Sequence, residues 1–233
     1  MNTFFNKKDI INTDFPIIEQ IIDIIHNVPS LNLDLLDSKE TVICIVDMVK
    51  GFAINGILSS PKINSLIAPI ENFVKYATSK GFTTIAFLDQ HTKDSIELKF
   101  RPSHCLKDTF ESELVDELNN LGITKIFPKN STNGFVNDKY QKWLKEEGAI
   151  YRNFIVVGDC TDICISQYAL TQKAFFNENN IDNRIIIPIN MIDTYDFEVH
   201  NANLINIFSL YQFIDNGLEV VKKITGGDNN DKI

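Results

Sequence analysis

The sequence predicts an α/β protein with a doubly wound, mainly parallel six-stranded sheet and helices on both of its faces. Short runs rich in β-branched residues are apolar at nearly every position, as strands are when helices cover both faces of a parallel sheet. Stretches with apolar residues at helical spacing lie between these runs. An alternation of strand and helix is typical of βαβ units joined by right-handed crossovers.

Each predicted element follows from this alternation of patterns. The predicted strands are residues 41–47, 82–89, 123–127, 154–158 and 184–189. The predicted helices are residues 63–80, 111–120, 136–147, 164–177 and 198–213. Gly81, Gly122 and Gly148 follow three of these helices, and glycine is the usual residue just beyond a helix end.

Residues 1–40 are predicted to be an N-terminal helical extension, and residues 41–233 a single α/β domain. An isoleucine-rich helix is expected to open at Asp14 and Pro16 and to end near Pro29. This helix would pack against the domain or form a subunit contact, and the sequence leaves both readings open.

Composition excludes several classes of protein. The chain has 233 residues, 44% hydrophobic and 23% charged, and a net charge of −9. The negative charge disfavours nucleic acid and anionic membranes as partners. No signal peptide is recognised in the first residues, and no run of eighteen apolar residues exists to span a membrane. Four cysteines without disulfide-like spacing favour a reducing, cytoplasmic location.

Polar side chains follow four of the predicted strands. They are Asp47, Asp89 with His91, Lys129, and Cys164. Ligands of open α/β sheets bind just beyond the carboxyl ends of the strands, so these groups are expected to converge on one site.

Cys164 is the candidate nucleophile of this site. It is predicted to lie in the first turn of a helix, where unpaired N–H groups lower the pKa of a thiol. Cys160 lies four residues earlier, which is not the two-residue spacing of thioredoxin-like redox pairs.

Asp89, His91 and His104 form a candidate set of metal ligands, with Glu97 as a further candidate. Carboxylate and imidazole are the usual ligands of zinc, iron and manganese. The alternative is a histidine that is merely hydrogen-bonded within its loop.

These motifs resemble those of the cysteine hydrolases of the isochorismatase-like superfamily, and most of all those of the nicotinamidases. The similarity covers about residues 41–225, and its motifs occur in the family order. They are Ile45-Val46-Asp47-Met48, Asp89-Gln90-His91, Pro102-Ser103-His104-Cys105, Lys129-Asn130-Ser131-Thr132-Asn133-Gly134-Phe135 and Gly158-Asp159-Cys160-Thr161-Asp162-Ile163-Cys164.

The resemblance implies a catalytic triad of Cys164, Asp47 and Lys129. It also implies a cis peptide bond between Asp159 and Cys160, and an oxyanion hole made by the backbone N–H groups of Cys160 and Cys164. A nearby carboxylate can take the proton of the attacking thiol and later deliver it to the leaving amine.

The resemblance further implies a divalent metal, zinc first and iron or manganese otherwise, held by Asp89, His91 and His104. Organic cofactors are not expected. Phe52 resembles the aromatic residue that flanks the substrate ring. The residue three before the last metal histidine is usually aromatic in the family, but it is Arg101 here, with Phe100 beside it as a substitute.

Two further positions depart from the family pattern. Lys50 and Gly51 stand where a polar Asn or Asp is usual, and Asp159 replaces a small apolar residue. His200 is interpreted as structural or as a residue at the rim of the site. A dinucleotide site is set aside because no Gly-x-Gly-x-x-Gly follows the first strand.

The function implied is hydrolysis of a small amide, first of all nicotinamide to nicotinate and ammonia in pyridine-nucleotide salvage, through a cysteine thioester. Another small amide or an N-carbamoyl compound is the alternative, which Arg101 motivates. A non-catalytic metal-binding protein on the same scaffold is a third hypothesis. The resemblance also leads us to expect a homo-oligomer.

Overall fold

The computed structural model describes residues 15–227. Two of the sequence predictions concern residues outside this range. One is that the first residues are not a signal peptide, and the other is where the predicted domain division begins and ends, at residues 1 and 233. Among the residues described, none of the helices is both long enough and apolar enough to cross a membrane.

Nine strands are present, of which β3 and β5 are the longest with seven residues each. They are β1 Leu31–Asn32, β2 Thr41–Val46, β3 Thr83–Asp89, β4 Lys125–Lys129, β5 Asn153–Asp159, β6 Arg184–Pro188, β7 Ile192–Asp193, β8 Glu219–Val221 and β9 Ile224–Thr225. These counts refer to residues 15–227.

The main sheet confirms the predicted fold class. Its strand order is β4-β3-β2-β5-β6-β8, and all of its pairings are parallel. The six expected strands are joined by a seventh, because the two-residue β7 pairs in parallel with the end of β5. The short strands β1 and β9 form a separate parallel pair.

Seven α-helices occur within the described part of the chain. They are α1 Phe15–His26, α2 Lys50–Ala53, α3 Pro61–Asn64, α4 Ile67–Ser79, α5 Asp138–Glu146, α6 Ser166–Glu178 and α7 Ala202–Asp215. The predicted helix 63–80 is thus interrupted between α3 and α4. Asn137 caps α5 and Asn201 caps α7 by accepting hydrogen bonds from backbone N–H groups of the first turn.

The helix predicted over residues 111–120 is wrong. Two 3₁₀ turns, Phe110–Ser112 and Asp116–Leu118, take its place. The chain between them is extended because the Lys50 N–H donates to the carbonyl of Glu113, and Leu114 bridges to Val49. These tertiary hydrogen bonds outweigh the helical spacing of the apolar residues.

The core lies on both faces of the sheet, as its uninterrupted apolar strands predict. Alternate residues of β2 face opposite sides, so Val42 and Cys44 enter one cluster while Ile43 and Ile45 enter the other. All six residues of β2 are buried. Burial of a side chain of this size contributes about 1.5–3 kcal/mol to the free energy of folding.

Helix α1 packs against the domain near α7. Its buried side chains Ile21 and Ile25 join the first core cluster, while Phe15, Ile17 and Ile24 remain exposed. The inner face of α1 therefore packs against the domain, as one of the two interpretations predicted. The subunit contact stays a prediction for its outer face.

Candidate active site

The strand order brings the predicted site residues together. Strands β4, β3, β2 and β5 are consecutive neighbours in the sheet, and Asp89 lies opposite Lys129 in the register of β3 and β4. Asp47 directly follows β2, and the segment containing Cys164 directly follows β5. Because all four strands are parallel, their carboxyl ends form one edge.

Lys129 is the centre of the arrangement. Its Nζ lies 2.8 Å from Oδ2 of Asp47, 2.7 Å from Oδ1 of Asp89 and 3.7 Å from Sγ of Cys164. Burial lowers the pKa of Lys129, but the carboxylates of Asp47 and Asp89 raise it well above its usual value. The side chain is therefore a buried ammonium held by two carboxylates.

Asp47 is placed to exchange a proton with the thiol. Burial raises the pKa of this carboxyl to about 6, and the opposing charge of Lys129 and the nearby thiol of Cys164 limit the rise. Asp47 has a φ of 54° and its N–H donates to the carbonyl of Phe87 at 3.0 Å. The carboxyl thus titrates close to neutral pH, where a general base is most useful.

Cys164 lies in a π-helical turn, Thr161–Ile165, rather than in the first turn of α6. The prediction that the pKa of the Cys164 thiol is lowered is therefore wrong. Burial raises the pKa of the Cys164 thiol well above its usual value, and the neighbouring charge of Lys129 only partly opposes this. A thiol in these surroundings would need a base to act as a nucleophile, and Asp47 is the candidate base.

Asp89, His91 and His104 form a buried cluster in which the potential ligand atoms all lie within 4.8 Å of one another. Oδ2 of Asp89 is 3.0 Å from Nε2 of His91 and 3.1 Å from Nε2 of His104. Asp89 therefore joins the two parts of the site, because its other oxygen contacts Lys129.

The outer contacts of the histidines orient them toward a shared centre. Nδ1 of His91 lies 3.2 Å from Oγ of Ser95, and Nδ1 of His104 lies 2.7 Å from the carbonyl of Pro102. Such contacts fix the ring orientation of metal-binding histidines in other proteins. Each Nε2 is thereby left facing Asp89.

These residues fit a divalent cation. Nε2 of His91 is buried and makes no hydrogen bond within the described structure. The site also holds two buried carboxylates, Asp47 and Asp89, against the single ammonium of Lys129. A divalent ion would give the buried nitrogen a partner and balance the excess negative charge.

Glu97 does not join this cluster. Its carboxylate accepts hydrogen bonds from the backbone N–H of Thr132 at 3.0 Å and from the hydroxyl of Thr132 at 3.2 Å. Its nearest approach to Nε2 of His91 is 4.0 Å. Glu97 therefore fastens the loop that carries the histidines to the loop after Lys129, and the prediction of a metal ligand is not supported.

The predicted substrate-binding residues separate into two groups. The ring of Phe52 is buried, with its centroid 5.8 Å from that of His104, so it can line the site. Phe100 is 71% exposed, so it does not replace the missing aromatic wall. Arg101 is half-buried, and its positive charge lowers the pKa of Tyr195, which burial raises.

The turn before the nucleophile has the cis peptide bond between Asp159 and Cys160 that the resemblance implied. Gly158 precedes it with a φ of +115°, and a Cβ there would lie 2.0 Å from the carbonyl oxygen of Val46. Glycine is therefore required at this point. Asp159 is fully buried and accepts a hydrogen bond from the Cys160 thiol at 3.5 Å.

The surroundings of Asp159 favour the neutral form of its carboxyl group. Burial raises its pKa well above the usual value, the negative charge of Asp47 adds to this, and Lys129 opposes it only weakly. Its Oδ2 is buried without a hydrogen-bond partner in the described structure. Burial of an acidic residue at a usually apolar position costs least in the neutral form, which these surroundings favour.

A hydrogen-bonded cluster beside the cysteine turn was missed from the sequence. The carboxylate of Asp162 accepts a hydrogen bond from the Thr194 hydroxyl at 2.7 Å, and Nε2 of His200 lies 3.1 Å from it. The rings of His200 and Tyr195 stack with centroids 4.2 Å apart. These contacts are those of a structural residue, as one of the two interpretations of His200 predicted. In the sequence, the polar residues around 193–196 were the only indication of this cluster.

The departures at Lys50 and Gly51 have structural explanations. Nζ of Lys50 lies 2.9 Å from Glu113 and 2.8 Å from Asp116, so it holds the segment that was predicted to be helical. A Cβ at Gly51 would lie 2.8 Å from Cβ of Glu111 and 2.9 Å from Sγ of Cys105. Both residues therefore serve the packing of the 105–116 segment.

Comparison with known proteins agrees with this geometry. Residues 41–179 match the family model described as an isochorismatase domain. The chain is 29% identical over 210 residues to nicotinamidase 1 of Arabidopsis thaliana. The alignment covers 78% of this chain and 85% of that protein.

Solved structures show the same fold. The pyrazinamidase of Pyrococcus horikoshii, solved in complex with zinc, superposes with a TM-score of 0.64 at 20% identity, covering 78% of this chain and 98% of the other. The N-carbamoylsarcosine amidase of Thermoplasma acidophilum gives a TM-score of 0.63 at 21% identity, covering 83% and 98%. Since the family model matches more than half of its residues, the chain belongs to the isochorismatase family of hydrolases.

Proposed function

We propose that this protein is a metal-assisted cysteine amidase that cleaves a small amide, with nicotinamide as the first candidate. The observation that carries the proposal is the single buried ammonium of Lys129, within 4 Å of the Cys164 thiol and both carboxylates, Asp47 and Asp89. The similarity to a plant nicotinamidase supports the choice of substrate.

The first step is attack of the thiol on the amide carbonyl. Asp47, the buried carboxylate beside the thiol, takes the proton while Sγ of Cys164 forms a bond to the carbonyl carbon. The carbonyl electron pair moves onto oxygen, where the backbone N–H groups of Cys160 and Cys164 would hold the negative charge. One such donor is worth about 3 kcal/mol of transition-state stabilisation.

The second step releases ammonia. Protonated Asp47 returns its proton to the amide nitrogen as the C–N bond breaks, which leaves an acyl thioester on Cys164. Water then attacks the thioester, with Asp47 again taking a proton, and the carboxylic acid and free thiol result. Lys129 keeps Asp47 in place and stabilises its ionised form through the 2.8 Å contact.

Asp89, His91 and His104 would hold the metal ion, zinc first among the candidates. When bound, such an ion supplies a Lewis-acidic centre that binds a ring nitrogen or water beside the nucleophile. Phe52 lies against His104 and would pack on the substrate ring.

Ammonia release tests the proposal. The wild-type protein, with and without added zinc, is expected to release ammonia from nicotinamide, whereas Cys164→Ala is expected to lose this activity at least a thousandfold. Cys44→Ala is the matched control, because Cys44 is a buried core thiol away from the carboxyl edge. Equal rates for wild type and Cys164→Ala would overturn the assignment of the nucleophile.

A second candidate substrate is an N-carbamoyl compound or another small amide, and Arg101 is the observation that favours it. Arg101 occupies the position at which the family usually has an aromatic residue, which would suit a neutral pyridine ring. A panel of amides, compared between wild type and Arg101→Phe, separates the two candidates. A cytoplasmic location and self-association stay predictions, open to cell fractionation and to light scattering in solution.

A further inference from the structure

The loop of residues 130–133, which follows β4, lies between the two parts of the candidate site. On one side, the Thr92 N–H donates to Oδ1 of Asn130 at 2.9 Å, which binds the loop to the histidine-bearing segment after β3. On the other side, Nδ2 of Asn133 donates to the hydroxyl of Thr171 on α6 at 3.0 Å. The loop therefore joins the segment of the cluster histidines to the helix that continues from the nucleophile turn.

Thr132 contacts both neighbours of this loop through one side chain. Its hydroxyl donates to Oε1 of Glu97 at 3.2 Å, and its Oγ1 lies 3.0 Å from Oε1 of Gln167. A hydroxyl has one proton and two lone pairs, so it can donate to the charged carboxylate and accept from Gln167 once that amide turns its NH₂ group toward it. The backbone N–H of Thr132 donates to the same Oε1 of Glu97 at 3.0 Å.

The two ends of this chain of contacts lie beside the groups that the proposed reaction uses. Glu97 is in a 3₁₀ turn of the histidine-bearing segment, and its Oε2 approaches Nε2 of His91 to 4.0 Å. Gln167 follows Cys164 by three residues, at the start of α6. A displacement of either part of the site is therefore passed to the other through Thr132.

The inner connection between the two parts is of a different kind. Nζ of Lys129 lies 2.7 Å from Oδ1 of Asp89 and 3.7 Å from Sγ of Cys164. An ammonium on a flexible four-carbon stem attracts both groups but accepts a range of directions. Thr132, in contrast, is stiff at χ1 and forms directional hydrogen bonds. The outer connection is therefore the one suited to fix how far apart the two parts lie.

We propose that Thr132 is a positioning residue that sets the separation between the cluster of Asp89, His91 and His104 and the thiol of Cys164, so that one small substrate reaches both. A misplacement of about 1 Å between reacting groups can cost about 100-fold in rate. The inference rests on the proposed function, in which a ring nitrogen is bound at the cluster while the thiol attacks the carbonyl. It adds to that function a residue that touches neither group.

Two aldehydes test this inference on the zinc-loaded protein. Pyridine-3-carbaldehyde and benzaldehyde both form a thiohemiacetal: Sγ of Cys164 adds to the aldehyde carbon, and the thiol proton ends on the carbonyl oxygen. Only the first aldehyde has a ring nitrogen for the cluster. The ratio of the two Kd values in His91→Ala/His104→Ala is the baseline, because it reflects only the different electrophilicity of the aldehydes.

The wild-type protein is expected to prefer the pyridine aldehyde at least about tenfold above this baseline. Thr132→Val removes the hydroxyl and keeps the N–H, and it is expected to bring the preference within about threefold of the baseline. Thr132→Ser restores the hydroxyl and is expected to restore the preference. Thr78→Val is the matched control, because Thr78 is a half-buried threonine whose hydroxyl donates to the Val74 carbonyl within α4.

Two further measurements separate positioning from local damage. The zinc Kd and the rate of Cys164 alkylation by iodoacetamide, followed by mass spectrometry of its peptide, report on each part of the site alone. Both are expected to change less than about threefold in Thr132→Val, whereas loss of an outer partner of a metal ligand costs about 10-fold to 100-fold in affinity.

A preference that Thr132→Val leaves at the wild-type value overturns the inference, as does a wild-type preference equal to the baseline. A tenfold loss of zinc affinity or of thiol reactivity in Thr132→Val also overturns it, because the residue then serves one part of the site alone. Neither aldehyde has a leaving amine, so the result does not depend on ammonia release. Absence of amide turnover would overturn the amidase proposal, while the aldehyde ratio still decides the role of Thr132.

Discussion

The buried polar groups at the two ends of the parallel strands, the amino edge and the carboxyl edge of the main sheet, differ in kind. At the amino edge, neutral side chains satisfy one another: Asn153 donates to the Thr41 hydroxyl at 3.1 Å, and the Tyr151 hydroxyl donates to Thr83 at 2.9 Å. At the carboxyl edge the buried groups are ionisable, and Lys129 stands between two carboxylates.

The same contrast holds for buried polar atoms that lack a partner among the described residues. Near the amino edge they belong to the neutral side chains of Thr84 and Asn183. Toward the carboxyl edge they belong mostly to ionisable side chains, those of Asp47, His91, Arg101 and Asp159, together with the hydroxyl of Thr161. Burial of ionisable groups costs more than burial of neutral ones, so their concentration at one edge indicates chemistry rather than stability.

Removal of a cation from each edge gives the largest expected contrast. Lys129→Met leaves two carboxylates without their ammonium, so we expect a loss of about 3–5 kcal/mol in the free energy of unfolding at neutral pH. Amide turnover is expected to fall about 100-fold to 10,000-fold. Arg184→Gln removes a part-exposed pair with Glu219 and should cost less than about 1 kcal/mol.

Urea unfolding of the two variants, alongside ammonia-release assays, measures both effects. Comparable losses of stability in Lys129→Met and Arg184→Gln would contradict the contrast between the edges.

Metal binding is expected to stabilise only a protein with an intact histidine cluster. At a free zinc concentration about 100 times Kd, binding adds about 2.7 kcal/mol, or roughly 5–10 °C in the melting temperature of a chain of this size. His91→Ala/His104→Ala should lose this shift, and His26→Ala, which changes an exposed histidine of α1, should keep it. A zinc-induced shift that persists in the double variant would place the metal elsewhere.

The pH dependence should have opposite signs for activity and for stability. Ionised Asp47 is the proposed base, and burial raises its pKa to about 6, so kcat/KM is expected to fall tenfold per pH unit below pH 6. The pKa in the unfolded chain is near 3.8, so Asp47 contributes stability below that pH and loses it as the pH rises through 6.

A pH profile of kcat/KM and urea titrations between pH 4 and 7 measure the two effects. Activity that stays level down to pH 5 would remove Asp47 from the role of base.

The smallest effect is expected at Asp159. Because burial favours the neutral form of this carboxyl, Asp159→Asn is expected to change the free energy of unfolding by less than about 1 kcal/mol and turnover by less than about fivefold. Asp47→Asn removes the base and should reduce turnover more than a hundredfold. A loss at Asp159→Asn as large as that at Asp47→Asn would mean that Asp159 is ionised.

The fold was predictable because the strands β2, β3, β5 and β6 are apolar on both faces, a pattern typical of a covered parallel sheet. Strand β8 and the two-residue β7 were not recognised, since short segments carry too few residues for a pattern. The segment 111–120 failed for a different reason. Its apolar residues have helical spacing, but its backbone hydrogen bonds go elsewhere. The Lys50 N–H donates to the Glu113 carbonyl, and the Val115 N–H donates to the Met48 carbonyl, which keeps the segment out of a helix.

The site was predictable at the level of residue types at strand ends, because parallel strands align their carboxyl ends. The predicted set Asp47, Asp89, Lys129 and Cys164 is brought within contact distance, and its catalytic role stays a prediction. The raised pKa of the Cys164 thiol was not predictable, since burial depends on every neighbour of the thiol. The true partner of Glu97, Thr132, is 35 residues away in sequence and left no local signal.

The most direct measurement is acid quenching of the amidase reaction during turnover, followed by mass spectrometry of the peptide that contains Cys164. The mechanism predicts an acyl group from the substrate amide attached to Sγ of Cys164, with the added mass expected of a thioester. Turnover with an acyl group on another residue, or with none on Cys164 under conditions that trap thioesters, would contradict the assignment of Cys164 as the nucleophile.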